Sequence, residues 1–439
     1  MKINRWTASG VVFFMAGAAL ALHAGGFDMS DVKNVMTGSN AFTNYEKEKP
    51  GAFRKITVSD LPQPFATSSA GNPPKDVPRP DNMWPQAPPG FKVTQYATEG
   101  FVLPRELRAA PNGDIFLADS QAKKIFVFRG LTPDGKPQQT SVFADSGMRM
   151  PFGIAFYPRG NNPKWVYVGN TNNVVRFPYN SGDLKASGPA ETVIETLPAG
   201  GGHWTRDLAF SPDSSKLFVA VGSGSNIDNP DTHPTETHRA NILEYTPEGK
   251  FLEVYASGIR NPVGIAVNPT TGQLWCSVNE RDALGDNLVP DYITSVKEGG
   301  FYGWPFYYMG NHPDPRLNGA HPELANKVIV PDVLLQPHNA SLEMMFYQGN
   351  QFPKQYQGDI FASEHGSWNR SIRAGYEVIR VPLVDGKATG VYEDFLTGFV
   401  TPEGNAWGRP VGVATAPDGS LLVSDDVSKT IWRVSYTGK

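Results

Sequence analysis

The stretch Leu103-Pro-Arg-Glu-Leu-Arg-Ala-Ala-Pro-Asn-Gly-Asp-Ile-Phe-Leu-Ala-Asp119 contains a polar loop, a short apolar strand, a turn and a second apolar strand. Arg409-Pro-Val-Gly-Val-Ala-Thr-Ala-Pro-Asp-Gly-Ser-Leu-Leu-Val-Ser-Asp425 repeats the pattern near the end of the chain. Four further copies lie between them, at Met150–Pro158, Arg206–Asp213, Asn261–Pro269 and, more weakly, His338–His365. Repeats spaced by roughly 40 to 50 residues indicate stacked units, and short strands with Gly and Pro turns indicate that each unit is a sheet. The sequence therefore predicts an all-β, six-bladed β-propeller.

The composition agrees with a turn-rich globular protein and excludes several classes of function. The chain has 439 residues, 40% of them hydrophobic, with 45 Gly and 38 Pro. Its net charge of −4 and the lack of a basic stripe argue against a nucleic-acid partner. Cys276 is the only cysteine, so an intrachain disulfide, a Cys-x-x-Cys-His haem attachment and an iron–sulfur cluster are excluded.

The first 90 residues differ from the repeats. Lys2 and Arg5 precede an apolar run from 10 to 22 and then small residues, a pattern that predicts a signal peptide over residues 1–24 and a periplasmic or secreted protein. The alternative is an uncleaved membrane anchor. Residues 25–90 are rich in Pro and polar residues and predict an extended or disordered arm. Residues 91–439 form the predicted propeller, in which Lys92 to Tyr96 would pair with the last strand and close the ring.

The repeat predicts which loops surround the mouth of the central channel. In a propeller blade, the loop entering the innermost strand and the loop leaving the second strand lie on one face. Both sets are rich in Arg, His, Asn and Asp. Five arginines in one funnel repel one another unless carboxylates or an anionic ligand are present, so an anionic ligand is expected alongside some structural ion pairs.

His203 is the candidate with the clearest chemistry. It follows Gly200-Gly-Gly202, where the backbone can approach a ligand closely, and it precedes Trp204, which can stack on a planar ring. Histidine is a natural general base near neutral pH. A loop histidine can equally be a hydrogen-bonding spacer, and His365 has a comparable claim by position.

Several loops together resemble a known family. Gly202-His-Trp-Thr-Arg-Asp-Leu208, Gly222-Ser-Gly-Ser-Asn226, Gly258-Ile-Arg-Asn-Pro-Val-Gly264, Asn279-Glu-Arg-Asp282, Gly299-Gly-Phe-Tyr-Gly-Trp-Pro305 and Glu364-His-Gly-Ser-Trp-Asn-Arg370 occur in this order. The set resembles the soluble pyrroloquinoline-quinone (PQQ)-dependent sugar dehydrogenases, most closely the L-sorbosone dehydrogenase branch. The resemblance extends from about Phe91 to the C-terminus.

The resemblance implies an enzyme that oxidises a sugar or sugar aldehyde, with PQQ and Ca²⁺ at the channel mouth and an external quinone or cytochrome as electron acceptor. It implies that His203 is the base that removes the substrate hydroxyl proton while hydride passes to quinone C5. Implied cofactor contacts are Arg105, Trp204, Asn226, Arg260, Asn261, His365, Arg370, Arg373, Trp407 and Arg409. The implied calcium ligands are the Glu280 carboxylate and the carbonyl groups of Arg281 and Asp282.

The sequence departs from the family in three places. Ser225 stands where the glucose enzymes have an arginine, and the Gly-Pro of the calcium loop is absent from Glu280–Asp282. Trp407 replaces one arginine of an Arg-x-Arg pair, of which Arg409 is the other. These departures leave His203 as the firmest correspondence.

Two other classes of function fit a six-bladed propeller. A calcium-dependent lactonase would need a ring of oxygen ligands, for which Asp119, Asn170, Asn226 and Asp425 are candidates. The excess of arginine argues against it. A non-catalytic propeller that binds a glycan or a protein would not need His203 beside three glycines.

Overall fold

Six sheets of four or five strands surround a central channel in the computed structural model, which describes residue 32 and residues 34–438. The innermost strands of successive sheets contact one another in a closed ring. The six-bladed all-β propeller predicted from the repeats is therefore confirmed. Each predicted repeat contains the innermost strand of one blade, including the weak copy that begins at His338.

The blades are numbered in chain order, and each is given from its innermost strand outward. Blade 1 is Pro104–Ala109, Ile115–Asp119, Lys124–Leu131 and Pro137–Ala144; blade 2 is Ile154–Tyr157, Trp165–Gly169, Val174–Pro178 and Glu191–Ile194; blade 3 is Leu208–Phe210, Leu217–Val221, Asn241–Tyr245 and Phe251–Ser257. Blade 4 is Asn261–Val267, Leu274–Asn279, Pro290–Ser295 and Val333–Pro337; blade 5 is Ser341–Phe346, Ile360–Glu364, Glu377–Val381 and Tyr392–Leu396; blade 6 is Pro410–Thr415, Leu421–Asp425, Thr430–Tyr436 and Phe91–Ala97.

Short strands, hairpins and 3₁₀ helices are added to the six blades. Gly300–Phe301 and Ala52–Arg54 add fifth strands to blades 3 and 5. Two small hairpins are Tyr307–Tyr308 with His312–Pro313 and Leu383–Val384 with Lys387–Ala388. The 3₁₀ helices are Gly38–Ala41, Val58–Asp60, Pro234–Glu236, Pro322–Lys327 and Lys354–Tyr356. No helix in the described part of the chain is long and apolar enough to cross a membrane.

Blade 6 closes the ring with strands from both ends of the repeat region. Phe91–Ala97 runs antiparallel to Thr430–Tyr436, with Phe91 opposite Tyr436. The prediction that Lys92 to Tyr96 would supply the closing strand is confirmed. Phe91–Ala97 covers the edge of Thr430–Tyr436, which could otherwise pair with another molecule, and becomes the outermost strand of the blade.

The Pro-x-Gly of the repeat has a packing role. A Cβ added at Gly264 would lie 2.6 Å from the backbone nitrogen of Met344, and one at Gly412 would lie 2.3 Å from the carbonyl oxygen of Arg105. Both glycines are on innermost strands that touch the next blade. Glycine therefore lets neighbouring blades approach closely around the channel.

A buried ion cluster fills the middle of the channel. The Arg108 guanidinium nitrogen Nη2 lies 2.6 Å from Glu106, 3.1 Å from Asp207 and 3.3 Å from Glu343. Burial raises the pKa of Glu106 and of Glu343 well above the usual range of a carboxyl group. These carboxylates are the one group in the described residues close enough together to hold a metal, and the arginine already supplies a cation among them.

Residues 34–90 lie along the propeller. Arg54 makes two hydrogen bonds to the Asp394 carboxylate, at 2.9 and 2.7 Å, and both side chains are fully buried. The Glu48 carboxylate accepts a hydrogen bond from the Gly375 backbone at 2.8 Å. This buried ion pair and the hydrogen bond to Glu48 tie the arm to blade 5. The predicted signal peptide, residues 1–24, lies outside the described residues.

Candidate cofactor and substrate site

The loops on one face of the propeller place His203 at the channel mouth. Its loop leads into blade 3, and the Gly222–Asn226 loop leaves the second strand of the same blade. A Cβ at Gly222 would lie 2.1 Å from Asn261 Oδ1 and 2.7 Å from His203 Cβ. Only glycine therefore allows the two loops and the start of blade 4 to meet here.

One ring nitrogen of His203 is fixed by hydrogen bonding. Nδ1 lies 2.9 Å from the Ser223 carbonyl oxygen and 3.0 Å from the Ser223 hydroxyl oxygen. A carbonyl oxygen only accepts, so Nδ1 carries the hydrogen and Nε2 has a free lone pair. Burial, followed by the positive charge of Arg260, lowers the pKa of His203 to about 3. The ring is therefore neutral and can accept a proton at Nε2.

Oxygen atoms converge on Arg260 beside this histidine. The guanidinium donates to the Glu280 carbonyl at 2.7 Å, to Asn226 Oδ1 at 3.0 Å and to the Asp282 carboxylate at 3.0 Å. The Asp282 backbone nitrogen also donates to Asn226 Oδ1 at 2.8 Å, and Asn226 Nδ2 donates to the Asp282 carbonyl at 3.1 Å. Although burial opposes ionisation, Arg260 and His338 hold the pKa of Asp282 down, at about 2. The site thus contains an ionised carboxylate and polarised oxygens around one cation.

The other predicted calcium ligands are placed differently. The Glu280 carboxylate is buried and accepts a hydrogen bond from the Arg281 backbone at 2.9 Å. Burial raises the pKa of Glu280 to about 8. The Arg281 side chain lies against Asp314, at 2.9 Å, inside the long insertion of blade 4. Of Glu280, Arg281 and Asp282, the side chain of Asp282 alone joins the oxygen cluster around Arg260.

A second charged group lies where blades 5, 6 and 1 meet. Asp426 pairs with Arg105 at 2.5 Å and accepts a hydrogen bond from His365 Nε2 at 3.0 Å. Arg105 also lies 5.4 Å above the ring centroid of Trp204. Burial, followed by the charge of Arg409, lowers the pKa of His365 to about 4. Arg409 donates to the His365 carbonyl at 2.9 Å.

Three further predicted cofactor contacts have partners outside these two charged groups. Arg370 donates to Asn287 at 2.9 Å, and Arg373 donates to Asn72 of the arm at 3.0 Å. Trp407 is fully buried, packs on Phe399 and Trp432, and donates to the Gly398 carbonyl. This packing gives no support to a stacking contact between Trp407 and a cofactor.

Asp426, His338 and Asn369 complete the site and were not among the predicted ligands. Asn369 Nδ2 lies 2.6 Å from Asp282 Oδ1 and 3.2 Å from His338 Nδ1. His338 Nε2 lies 3.0 Å from the Gly285 carbonyl and so donates to it. All three residues occupy mouth-facing loop positions of the repeat. The repeat therefore predicts which loops carry these residues. It does not predict which side chains they bind, because those contacts are made between blades.

The residues considered for a lactonase metal ring do not converge. Asp119 accepts hydrogen bonds from the backbone of Val102 and Leu103, and Asp425 from that of Arg409. Asn170 binds the Arg149 backbone at 2.8 Å. Each of these three side chains therefore organises loops at its own blade, whereas Asn226 binds Arg260 and Asp282.

Comparison with protein families identifies the type of propeller. The model of the TrAA12-like family matches residues 85–294 and 318–437. The chain belongs to the TrAA12-like family. An aldose sugar dehydrogenase of Escherichia coli is 27% identical over 284 residues, which cover 61% of this chain and 70% of that protein. A pyrroloquinoline quinone-dependent pyranose dehydrogenase of Coprinopsis cinerea is 26% identical over 292 residues, 53% of this chain and 39% of that protein.

Solved structures share the fold. The holo form of the PQQ domain of Coprinopsis cinerea pyranose dehydrogenase superposes with a TM-score of 0.67 at 22% identity, covering 83% of this chain and all of that domain. The Trichoderma reesei carbohydrate-active enzyme of family AA12 superposes with a TM-score of 0.67 at 20% identity. These relatives confirm the resemblance to the PQQ-dependent sugar dehydrogenases.

Proposed function

We propose that the protein is a PQQ-dependent dehydrogenase of an aldose or sugar aldehyde of the L-sorbosone type, with His203 as general base. The observation that carries the proposal is the neutral His203, whose Nε2 is left free by the hydrogen bond from Nδ1 to Ser223. The arginines at the same mouth make the site suitable for an anionic cofactor.

The residues at the mouth fit the quinone in charge and shape. PQQ carries three carboxylates, and Arg105, Arg260 and Arg409 belong to the two charged groups there. Arg105 Nε and Asn261 Oδ1 are buried without hydrogen-bond partners in the described residues. A polar ligand would supply partners that these atoms lack. Trp204 offers a planar surface beside them.

Calcium fits the oxygen cluster if Arg260 moves to a quinone carboxylate. The Glu280 carbonyl, Asn226 Oδ1 and Asp282 Oδ2 already converge on one cation. Ca²⁺ prefers such oxygen ligands. If a bound anionic cofactor held the Arg260 guanidinium, the three oxygens would be free to hold Ca²⁺, so the two ligands should bind cooperatively.

The chain's own contribution to the reaction is orientation and proton transfer. Bound quinone supplies hydride acceptance. His203 takes the proton of the reacting hydroxyl at Nε2, while the Ser223 carbonyl keeps Nδ1 protonated and the ring oriented. In the free protein, the Arg260–Asp282 pair stabilises the loop beside the base. We further propose a periplasmic or secreted location and an external electron acceptor.

Calorimetry tests the cofactor proposal. Titration of the purified apo-protein with PQQ should show strong binding in millimolar Ca²⁺ and weaker binding in EGTA, and the Ca²⁺ affinity should rise when PQQ is present. Absorption spectra recorded after addition of aldoses or sugar aldehydes should then show reduction of the bound quinone. Absence of PQQ binding with Ca²⁺ present would contradict the proposal.

The pH dependence of substrate oxidation should reflect the low pKa of His203. Protonation inactivates the base, and its pKa is lowered to about 3 in the free protein. Burial, the main cause of the lowered pKa, persists when the cofactor is bound, so the loss of activity should be centred below the ordinary pKa of histidine. The profile of kcat/KM for the holoenzyme with a dye acceptor checks this expectation. A loss of activity centred between pH 6 and 7 would contradict it.

A further inference from the structure

The large apolar side chains exposed on loops at the mouth of the channel include Phe65, Trp368 and Ile372. Phe65 exposes 59% of its surface, Trp368 49% and Ile372 51%. Phe65 belongs to the arm, whereas Trp368 and Ile372 belong to the loop that leaves the second strand of blade 5. We call these three residues the apolar rim.

Hydrogen bonds bring the loops of the apolar rim together. The Phe65 backbone nitrogen donates to the Leu284 carbonyl at 2.8 Å. The Ser371 backbone nitrogen donates to Asp286 of the same blade 4 loop at 3.0 Å. Asn72 of the arm donates from its backbone to the Trp368 carbonyl at 2.7 Å. The arm and the two loops therefore form one interlocked surface.

The apolar rim borders the proposed cofactor site. Asn369 directly follows Trp368, and its amide donates to Asp282 at 2.6 Å. Asp282 in turn pairs with Arg260. A molecule seated on the rim would thus lie against the loops that hold the charged groups around His203.

The proposed reaction requires something to take electrons at this mouth. Oxidation of one substrate hydroxyl releases two electrons and two protons. Cys276, the only cysteine, is buried, so the chain offers no thiolate-held centre to receive the electrons. A one-electron acceptor would have to act twice: two oxidised acceptor molecules become reduced, and two protons pass to water.

We propose that the apolar rim is the docking surface for a soluble one-electron redox protein, an inference that rests on the proposed function. Interfaces between electron-transfer partners are small and transient, which suits a patch of three side chains. Exposed aromatic and aliphatic side chains at the entrance of a functional site are typical of protein contact surfaces. Phe65 and Ile372 offer no hydrogen bond to sugar hydroxyls, so a protein partner fits this surface better than an additional sugar unit.

The experiment compares two acceptors for the PQQ-loaded enzyme. The probes are a small soluble c-type cytochrome and the dye dichlorophenolindophenol. In the variants Ile372→Ser and Trp368→Ser/Ile372→Ser, the second-order rate of cytochrome reduction should fall by about tenfold or more, the effect of losing central contacts of an interface. The dye rate and the sugar KM should stay within about twofold of wild type. The cytochrome rate should depend little on ionic strength, since the contact is apolar.

A matched control is available on blade 3. Phe251 and Leu252 are exposed to 39% and 42%, and Phe251→Ser/Leu252→Ser should leave both rates unchanged. Equal rates for rim and control variants would overturn the proposal, as would failure of the wild-type holoenzyme to reduce the cytochrome while it reduces the dye. A raised sugar KM with an unchanged cytochrome rate would assign the rim to substrate instead. Loss of dye reduction in the wild type would contradict the proposed function itself.

Discussion

Replacement of His203 by glutamine should slow sugar oxidation by about 10² to 10⁴-fold while PQQ stays bound, because loss of a positioned general base has an effect of this size. Glutamine can keep a hydrogen bond to the Ser223 carbonyl but cannot accept a proton at the position of Nε2. The measurement is the single-turnover reduction of bound quinone after mixing with sugar, recorded by absorption. Calorimetry on the same variant establishes that cofactor affinity is retained.

His365→Gln is the matched comparison for this prediction. His365 is also a neutral ring whose pKa is lowered, to about 4, but its Nε2 donates to Asp426 and so helps to hold the Arg105 group. We expect its substitution to lower the cofactor affinity by a larger factor than it lowers the rate of quinone reduction. Near-normal reduction in His203→Gln together with a large loss in His365→Gln would transfer the role of base to His365.

Arg54→Met should lower the free energy of unfolding by about 3–5 kcal/mol, the effect of removing one partner of a buried ion pair. Asp394 would keep a buried carboxylate without its arginine, and both side chains are fully buried in the native protein. Urea denaturation at neutral pH, followed by tryptophan fluorescence, measures the loss. The loss should shrink at acid pH, where protonation of Asp394 removes the unpaired charge.

Two further variants identify the cause of that loss. Lys75→Met, at an exposed position of the same arm, should change stability little. Arg54→Met/Asp394→Leu should recover much of the stability, since no charge is left unpaired. If the single variant is as stable as wild type, the arm is not held by this ion pair.

The sequence was most informative where structure is local. Alternating strands and Pro-Asn-Gly or Pro-Asp-Gly turns lie within one repeat, so the blades and the closing strand at Phe91–Ala97 could be predicted from them. The loops that face the mouth followed from the same repeat. The position of His203 beside three glycines was also readable in this way.

Side-chain pairs between different blades could not be predicted from the sequence, because they depend on how the sheets pack around the channel. The pairing of Arg105 with Asp426, which is far from it in sequence, is one such contact. Trp407 was placed at the mouth because it replaces an arginine of the family, whereas its indole packs in the core. Glu48 and Arg54 lie in a Pro-rich polar segment, and nothing local indicates that they are buried.

The closure of blade 6 also determines the order in which the protein can be completed. Apart from Ala52–Arg54, the fifth strand of blade 5, Phe91–Ala97 is the first propeller strand to be synthesised, and its partner Thr430–Tyr436 is the last. During translation Phe91–Ala97 therefore stays unpaired while the first five blades are made. Its edge must be protected from pairing with other chains during that time. A ribosome that stops before residue 430 yields an open ring. The ring therefore closes only after Thr430–Tyr436 has been made.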